Sequence, residues 1–282
     1  MSEIASELKK VLQIALDEDR GFGDLTSKSI FSDETADGRF IAKESGILCG
    51  SGAIPAGYGL IDPEISIKLF IEDGEPIQPG DVIAAASGAV RHLLTGERII
   101  LNLMQHLSGI STETQKTVSR LDDPEIKICD TRKTLPGLRL LQKYAVRTGG
   151  GYNHRFRLDD GVMIKDNHIA AAGGIKNAVQ KIRNQVGPLV KIEVETENES
   201  EVREAVEAKA DVIMLDNRTP DQVKSLRSLI PESILVEVSG GINRGNIAPY
   251  KNCGADFISL GALTHSVKAL DISFDLAGNK GK

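Results

Sequence analysis

Tryptophan is absent and aromatic residues make up only 4% of the chain, too few flat side chains for a base-stacking nucleic-acid platform. Positive charge is not in excess either. With 34 Lys and Arg against 40 Asp and Glu, the formal charge is −6, the wrong sign for a general nucleic-acid binder. Cysteine is scarce: Cys49, Cys129 and Cys253 are widely spaced, odd in number and in no C-x-x-C pair. That excludes a disulfide framework and a thiolate zinc site, and it fits a reducing compartment. No run of about 18 apolar residues occurs, and the acid-bearing N-terminus has no apolar stretch of signal length. These absences predict a soluble, cytoplasmic protein with no membrane or nucleic-acid partner. What is present, 40% hydrophobic residues over 282 positions, suffices for one large domain or two ordinary ones.

Ile4, Leu8, Val11, Leu12 and Ala15 share one face at helical spacing and predict a first helix. Short β runs broken by Asp-Gly and Pro-Gly follow (38–52 and 65–90), and predict a largely antiparallel unit. Helical spacing returns over 93–107. We place a boundary near Gly109, giving an N-terminal α/β domain over 1–109 and a second domain over 110–266. From about residue 126 the rhythm becomes strand, polar turn, helix. Six strands stand out: IKICDT (126–131), GVMIK (161–165), VKIEVE (190–195), DVIMLD (211–216), ILVEVS (234–239) and DFISLG (256–261). Asn198 followed by Glu201 reads as a helix N-terminus, and Asp24-Leu25-Thr26 as a capping turn. Short apolar strands alternating with helices predict a parallel sheet, either a β/α barrel or a doubly wound layer. Each strand ends in polar groups able to do chemistry, and groups at many strand ends mark a barrel mouth. In a doubly wound sheet they would cluster at one switch point. Six strands are fewer than eight, so the barrel is expected to be incomplete.

The segment 131–157 holds seven Lys or Arg and no acid, in a chain of negative net charge. Its Arg132 and Lys133 end a strand, while His154 and Arg155 follow three glycines. Guanidinium forks and ammonium groups in such a place suit a small molecule with several carboxylates and phosphates. Ser239-Gly240-Gly241 after the fifth strand and Leu260-Gly261-Ala262 after the sixth, followed by His265, predict a phosphate grip through backbone N–H groups. Glu193 and Glu195 face the same way along their strand. We read Glu193, deeper in the strand, as an ion-pair partner of Lys165 or Lys191. Glu195 and Asp216, at strand ends, are read as functional carboxylates that hold Mg²⁺ or ribose hydroxyls, or stabilise a cationic transition state. His92 and His106, on the helical stretch, are read as structural.

These residues together resemble the quinolinate phosphoribosyltransferase family. The resemblance lies in GERIILNLMQHLSGIST (96–112), DTRKTLPGLRLLQKYAVRTGGGYNHR (130–155), DDGVMIKDNHI (159–169), KIEVE (191–195), VIMLDN (212–217), VSGGI (238–242) and ISLGALTHS (258–266). It implies a smaller N-terminal α/β domain beside an incomplete β/α barrel, with a tail (267–282) that returns to the first domain. It implies transfer of a phosphoribosyl group from 5-phosphoribosyl-1-pyrophosphate (PRPP) to quinolinate, with decarboxylation, on the route to NAD. By resemblance, Thr131, Arg132, Arg139, His154 and Arg155 line the dicarboxylate site with Lys133 and Lys165, and Arg98 reaches it from a partner subunit. Lys133, Lys165, Glu195 and Asp216 are then the catalytic groups. Ser239, Gly240, Gly241, Leu260, Gly261, Ala262 and His265 hold phosphate. The implied cofactor is Mg²⁺ bound with PRPP, through Glu195 and Asp216, with no organic cofactor. The implied assembly is a homodimer with shared active sites, alone or assembled further. Three competing readings are a same-fold transferase for another aromatic acid such as nicotinate, a Schiff-base lyase using Lys165, and a prosthetic-group carrier suggested by EPIQPGDVI.

Overall fold

A computed structural model describes residues 3–276. The chain opens with α1 (Glu3–Arg20), whose Leu8, Leu12 and Leu16 form a buried stripe at i, i+4 spacing. Then come α2 (Leu25–Ile30), β1 (Thr35–Ala42), β2 (Gly46–Ile47), α3 (Ala53–Ile61), β3 (Ser66–Leu69), β4 (Pro76–Ile77), β5 (Val82–Ala89) and the long α4 (Val90–Leu121). Asp24 caps α2, its side chain accepting from the Ser27 N–H at 3.0 Å. The second half runs β6 (Lys127–Cys129), α5 (Arg139–Thr148), β7 (Val162–Ile164), α6 (Asp166–Ala172), α7 (Ile175–Arg183), β8 (Ile192–Thr196) and α8 (Glu199–Glu207). It ends with β9 (Val212–Asp216), α9 (Pro220–Arg227), β10 (Leu235–Ser239), β11 (Phe257–Ser259), α10 (Ala262–His265) and β12 (Ile272–Leu276). Asn198 caps α8 by accepting from the Glu201 N–H.

Two compact units emerge. Among the described residues, one comprises 3–115, Thr134–Gly150 and 264–276; the other comprises Lys116–Lys133 and Gly151–Leu263. The sequence-based partition into 1–109 and 110–266 is drawn differently: here residues 110–115, α5 and residues 264–266 group with the first unit, and α4 runs unbroken through Gly109. The glycine has a packing reason. A Cβ there would lie 2.3 Å from the Lys268 carbonyl oxygen and 3.2 Å from Ala269 Cα, and backbone atoms cannot yield as a side-chain tip can. Gly109→Ala is therefore expected to lower stability by about 1–3 kcal/mol, despite alanine's better helix propensity. A thermal melt checks this; an unchanged or raised Tm would show that the 268–269 segment moves aside freely.

The first unit contains an antiparallel sheet in the order β12-β1-β5-β3. Phe40 of β1 and Phe274 of β12 pack with ring centroids 4.8 Å apart, and Tyr58 of α3 completes the cluster. The segment from 267 thus reaches β1 through β12; residues 277–282 lie outside the described residues.

In the second unit all six strands expected from the sequence form one parallel sheet in the order β6-β11-β10-β9-β8-β7. Successive strands β7 to β11 are neighbours, and the last pairs with the first, β6. A doubly wound sheet would reverse direction at a switch point, whereas this order is that of a barrel left open between β6 and β7. Cys129 and Tyr152 form an isolated parallel bridge along the free edge of β6. Alternation divides each strand: Ile192, Val194, Ile213, Leu215, Val236 and Val238 are buried on one face. The other face carries Met163, Glu193, Glu195, Met214, Asp216, Glu237 and Ser239. No described helix is long and apolar enough to cross a membrane.

Candidate active site

At the C-terminal ends of these strands lies a cavity of about 410 Å³. It is lined by Thr131, Arg132 and Lys133 after β6, His154 and Arg155, Lys165 after β7, Glu195 of β8, Asp216 of β9, and Ser239 and Gly240 at β10. Ten residues singled out in the sequence thus share one cavity. Its floor adds Met163, Met214 and Glu237, which the sequence reading missed. Glu237 had a signal: it is the lone acid in an apolar strand, two residues before Ser239 and so on the same face.

Of the seven cations in 131–157, three line the cavity. The Arg155 Nη1 donates to the Gly161 carbonyl at 2.7 Å, while Nε of Arg155 and Nε of Arg132 are buried without a hydrogen-bond partner. Burial and the neighbouring Arg132 charge depress the Arg155 pKa. Two half-buried guanidinium groups that repel each other, each with a buried and unused Nε donor, fit an anionic ligand, because each unmade bond costs more than a made one returns. Lys165 Nζ lies 2.5 Å from Glu195 Oε2. Lys133 donates its backbone N–H to Thr131 Oγ1, closing the turn that follows β6.

The cavity also holds a pair of carboxylates. Asp216 has a raised pKa, caused first by burial and then by Glu195. Two oxygen-bearing side chains on neighbouring strand ends, one of them made harder to ionise by the other, fit a hard divalent cation, so Glu195 and Asp216 are the residues that would hold Mg²⁺.

Glu193 departs from its expected partnering: neither Lys165 nor Lys191 pairs with it as anticipated. Its Oε2 lies 3.2 Å from His154 Nε2, and Glu237 Oε2 lies 3.1 Å from the same nitrogen. Burial opposes charge on His154, but its hydrogen bonds to Glu193 and Glu237 would push its pKa up to about 10. A second proton would have to sit on Nδ1, and there the Arg155 backbone N–H donates at 2.8 Å. The geometry therefore holds the neutral ring with its proton on Nε2. Burial and Glu193 push Glu237 up to about 7, so its carboxyl holds a proton more readily than an exposed one. Below this cluster, buried Asp130 accepts from the His154 N–H (2.9 Å) and from Asn153 Nδ2 (2.6 Å).

The phosphate-site residues divide. Ser239 and Gly240 line the cavity, and Gly241 continues the loop at φ +65°. Gly240 is required by its neighbour: at φ +91°, a Cβ would meet Asn217 Oδ1 at 2.3 Å. Leu260 is buried and its N–H donates to the Cys129 carbonyl, while Gly261 and Ala262 lead into α10. His265 is exposed beside Ser266. None of these four lines the cavity.

Arg98 and Arg139 belong to the first unit. Arg98 lines a separate cavity of about 290 Å³ between α1 and α4, with Glu18, Asp19 and His106. Arg139 opens α5, its Nε donating to Thr134 Oγ1 at 3.0 Å. His92 pairs with Asp62, and His106 with Gln142.

The fold and the cavity define an enzyme class: a β/α-barrel protein that binds a small polyanion beside acidic groups. Residues 24–108 match the N-terminal domain of quinolinate phosphoribosyl transferase and residues 110–275 its C-terminal domain. A probable nicotinate-nucleotide pyrophosphorylase [carboxylating] of Bacillus subtilis is 53% identical over 96% of this chain and 93% of its own length. A mitochondrial quinolinate phosphoribosyltransferase [decarboxylating] of Nicotiana glauca is 38% identical, over 96% of this chain and 82% of its own. The crystal structure of NadC from Streptococcus pyogenes superposes with a TM-score of 0.94 at 40% identity, covering 98% of this chain and 99% of that one. The chain belongs to the quinolinate phosphoribosyl transferase family.

Proposed function

We propose that this protein transfers the phosphoribosyl group of PRPP to quinolinate, with decarboxylation, releasing nicotinate mononucleotide, pyrophosphate and CO2 for NAD biosynthesis. The observation that carries the site assignment is the pair of buried, unpartnered guanidinium donors of Arg132 and Arg155 in the barrel-mouth cavity. They receive the two ring carboxylates, with Lys133 and Lys165 adding positive charge. The pyridine nitrogen attacks C1′ as pyrophosphate departs. Positive charge grows on the ribose ring, and Glu195 and Asp216 face it, favouring the transition state over the ground state. The Ser239-Gly240-Gly241 loop holds the 5′-phosphate through backbone N–H groups. Glu195 and Asp216 would hold Mg²⁺, which would supply positive charge against the pyrophosphate. In the product the 2-carboxylate sits beside a pyridinium nitrogen. When its bond to C2 breaks, CO2 departs and the electron pair left beside N⁺ takes up a proton from solvent at C2, so no organic electron sink is required. Lys165, held in an ion pair with Glu195, serves an anion site rather than a Schiff base. A cytoplasmic homodimer in which Arg98 enters the neighbour's site is part of the same proposal.

Incubation with quinolinate, PRPP and Mg²⁺ is expected to release CO2 and nicotinate mononucleotide in equal amounts; no product would reject the reading. Arg155 offers a sharper probe. A planar fork on a carboxylate is not replaced by a point charge, so Arg155→Lys is expected to weaken quinolinate binding on the order of tenfold or more. PRPP affinity should change far less. Calorimetry that shows both ligands equally affected would move Arg155 off the dicarboxylate.

A further inference from the structure

We infer that Glu237 is a positioning residue, acting through the His154 ring to hold Arg155 in place for the substrate carboxylate. The inference rests on the reading of this cavity as a dicarboxylate site.

The geometry is a relay with both ring nitrogens committed. Nε2 carries the proton and points between Glu237 on β10 and Glu193 on β8. Nδ1 accepts from the backbone N–H of Arg155. The ring therefore ties the base of the barrel to the main chain that bears the Arg155 guanidinium. Asp130 fixes the preceding amide, and the Gly161 carbonyl fixes Nη1. Arg155 is thereby held at its backbone and at its tip, leaving Nε in the cavity wall without a protein partner. A guanidinium must present its donors in one plane to engage a carboxylate, and rotation of the preceding residue would turn that plane.

Glu237 is the exacting member. It is fully buried, Oε2 engages His154, and Oε1 is buried without a partner. An acid in that setting contributes little to stability, since apolar replacements of buried ionic groups are often neutral or better. Its contribution on this reading is orientation. His154 then acts on the substrate through Arg155, because its own nitrogens are turned to the protein.

The test uses the full-length protein with calorimetry of quinolinate and of PRPP. Glu237→Leu removes the acceptor and leaves Glu193 as the ring's single carboxylate anchor. Quinolinate affinity is expected to fall about tenfold, the size of one oriented hydrogen bond, with PRPP affinity within about twofold. Glu237→Gln keeps an acceptor for Nε2–H and is expected to restore most of the loss. In an Arg155→Lys background, Glu237→Leu should cost less than about twofold more, because the two residues act as one unit. Should Glu237→Leu fail to fold, Glu237→Asp keeps the charge but withdraws the oxygen by a methylene, and it should bind quinolinate worse than Glu237→Gln. Equal weakening of both ligands, full additivity with Arg155→Lys, or Asp binding better than Gln would each overturn the assignment. If the unaltered protein does not bind quinolinate, the site reading falls and this inference with it; if it binds and the variants behave as in the overturning cases, Glu237 alone has been misassigned.

Discussion

Mixing Arg98→Ala protein with Lys133→Ala protein is expected to restore activity that neither variant has alone. Each pure variant should be nearly inactive, because every site then lacks one of its cations. Lys133 lines the barrel-mouth cavity, whereas Arg98 lies on α4 in the other compact unit, half exposed, with Glu97 at 3.7 Å. If Arg98 serves the neighbouring subunit, a mixed dimer has one site with both defects and one with neither. Random exchange of equal amounts makes about half the dimers mixed, so about a quarter of all sites become intact, by the reciprocity of a two-fold interface. Recovery towards that fraction supports the shared site. Background activity after exchange has been verified by mass spectrometry would mean that Arg98 acts within its own chain or has no part in the reaction.

Nicotinate is expected to be turned over at a kcat/KM lower than that of quinolinate by on the order of 10⁴. It has the 3-carboxylate but not the 2-carboxylate, so the buried Nε donor of one guanidinium group, Arg132 or Arg155, would be left unanswered. Sites built to bind a polar group reject analogues that lack it by about this factor, since the orphaned donors pay desolvation without return. Nicotinate also has no group to lose as CO2, so the decarboxylation half of the reaction has no counterpart. Steady-state assays with both acids at matched PRPP settle the matter. Comparable efficiency would assign the cavity to another aromatic acid.

Much of this site is legible in the amino-acid sequence. Strand alternation placed Glu193 with Glu195, and polar strand ends pointed to a barrel mouth; both are consequences of a two-residue period that needs no tertiary information. The caps at Asp24 and Asn198 were equally local, each a side chain bonding a backbone N–H three residues on. The helix through Gly109 was not, because a glycine that marks a turn and one that admits a crossing backbone look alike in one dimension. Arg98 and Arg139 entered only through resemblance, and the fold places both outside the unit that holds the cavity.

The sequence by itself determined the composition of the site: six strands, the carboxylates and cations at their ends, and the small residues of the Ser239-Gly240-Gly241 loop. It also carried the family blocks. Tertiary structure decided which strands are neighbours, and so which charges meet. Glu193 was expected to pair with a lysine, yet β8 and β10 bring Glu193 and Glu237 onto His154 from either side. Likewise only three of the seven cations in 131–157 line the cavity, since Arg139, Lys143 and Arg147 lie on α5, which belongs to the other compact unit. Local periodicity fixes the direction of a side chain relative to its own strand; contact between distant segments depends on the order in which strands close the barrel, and that order is a property of the packed chain.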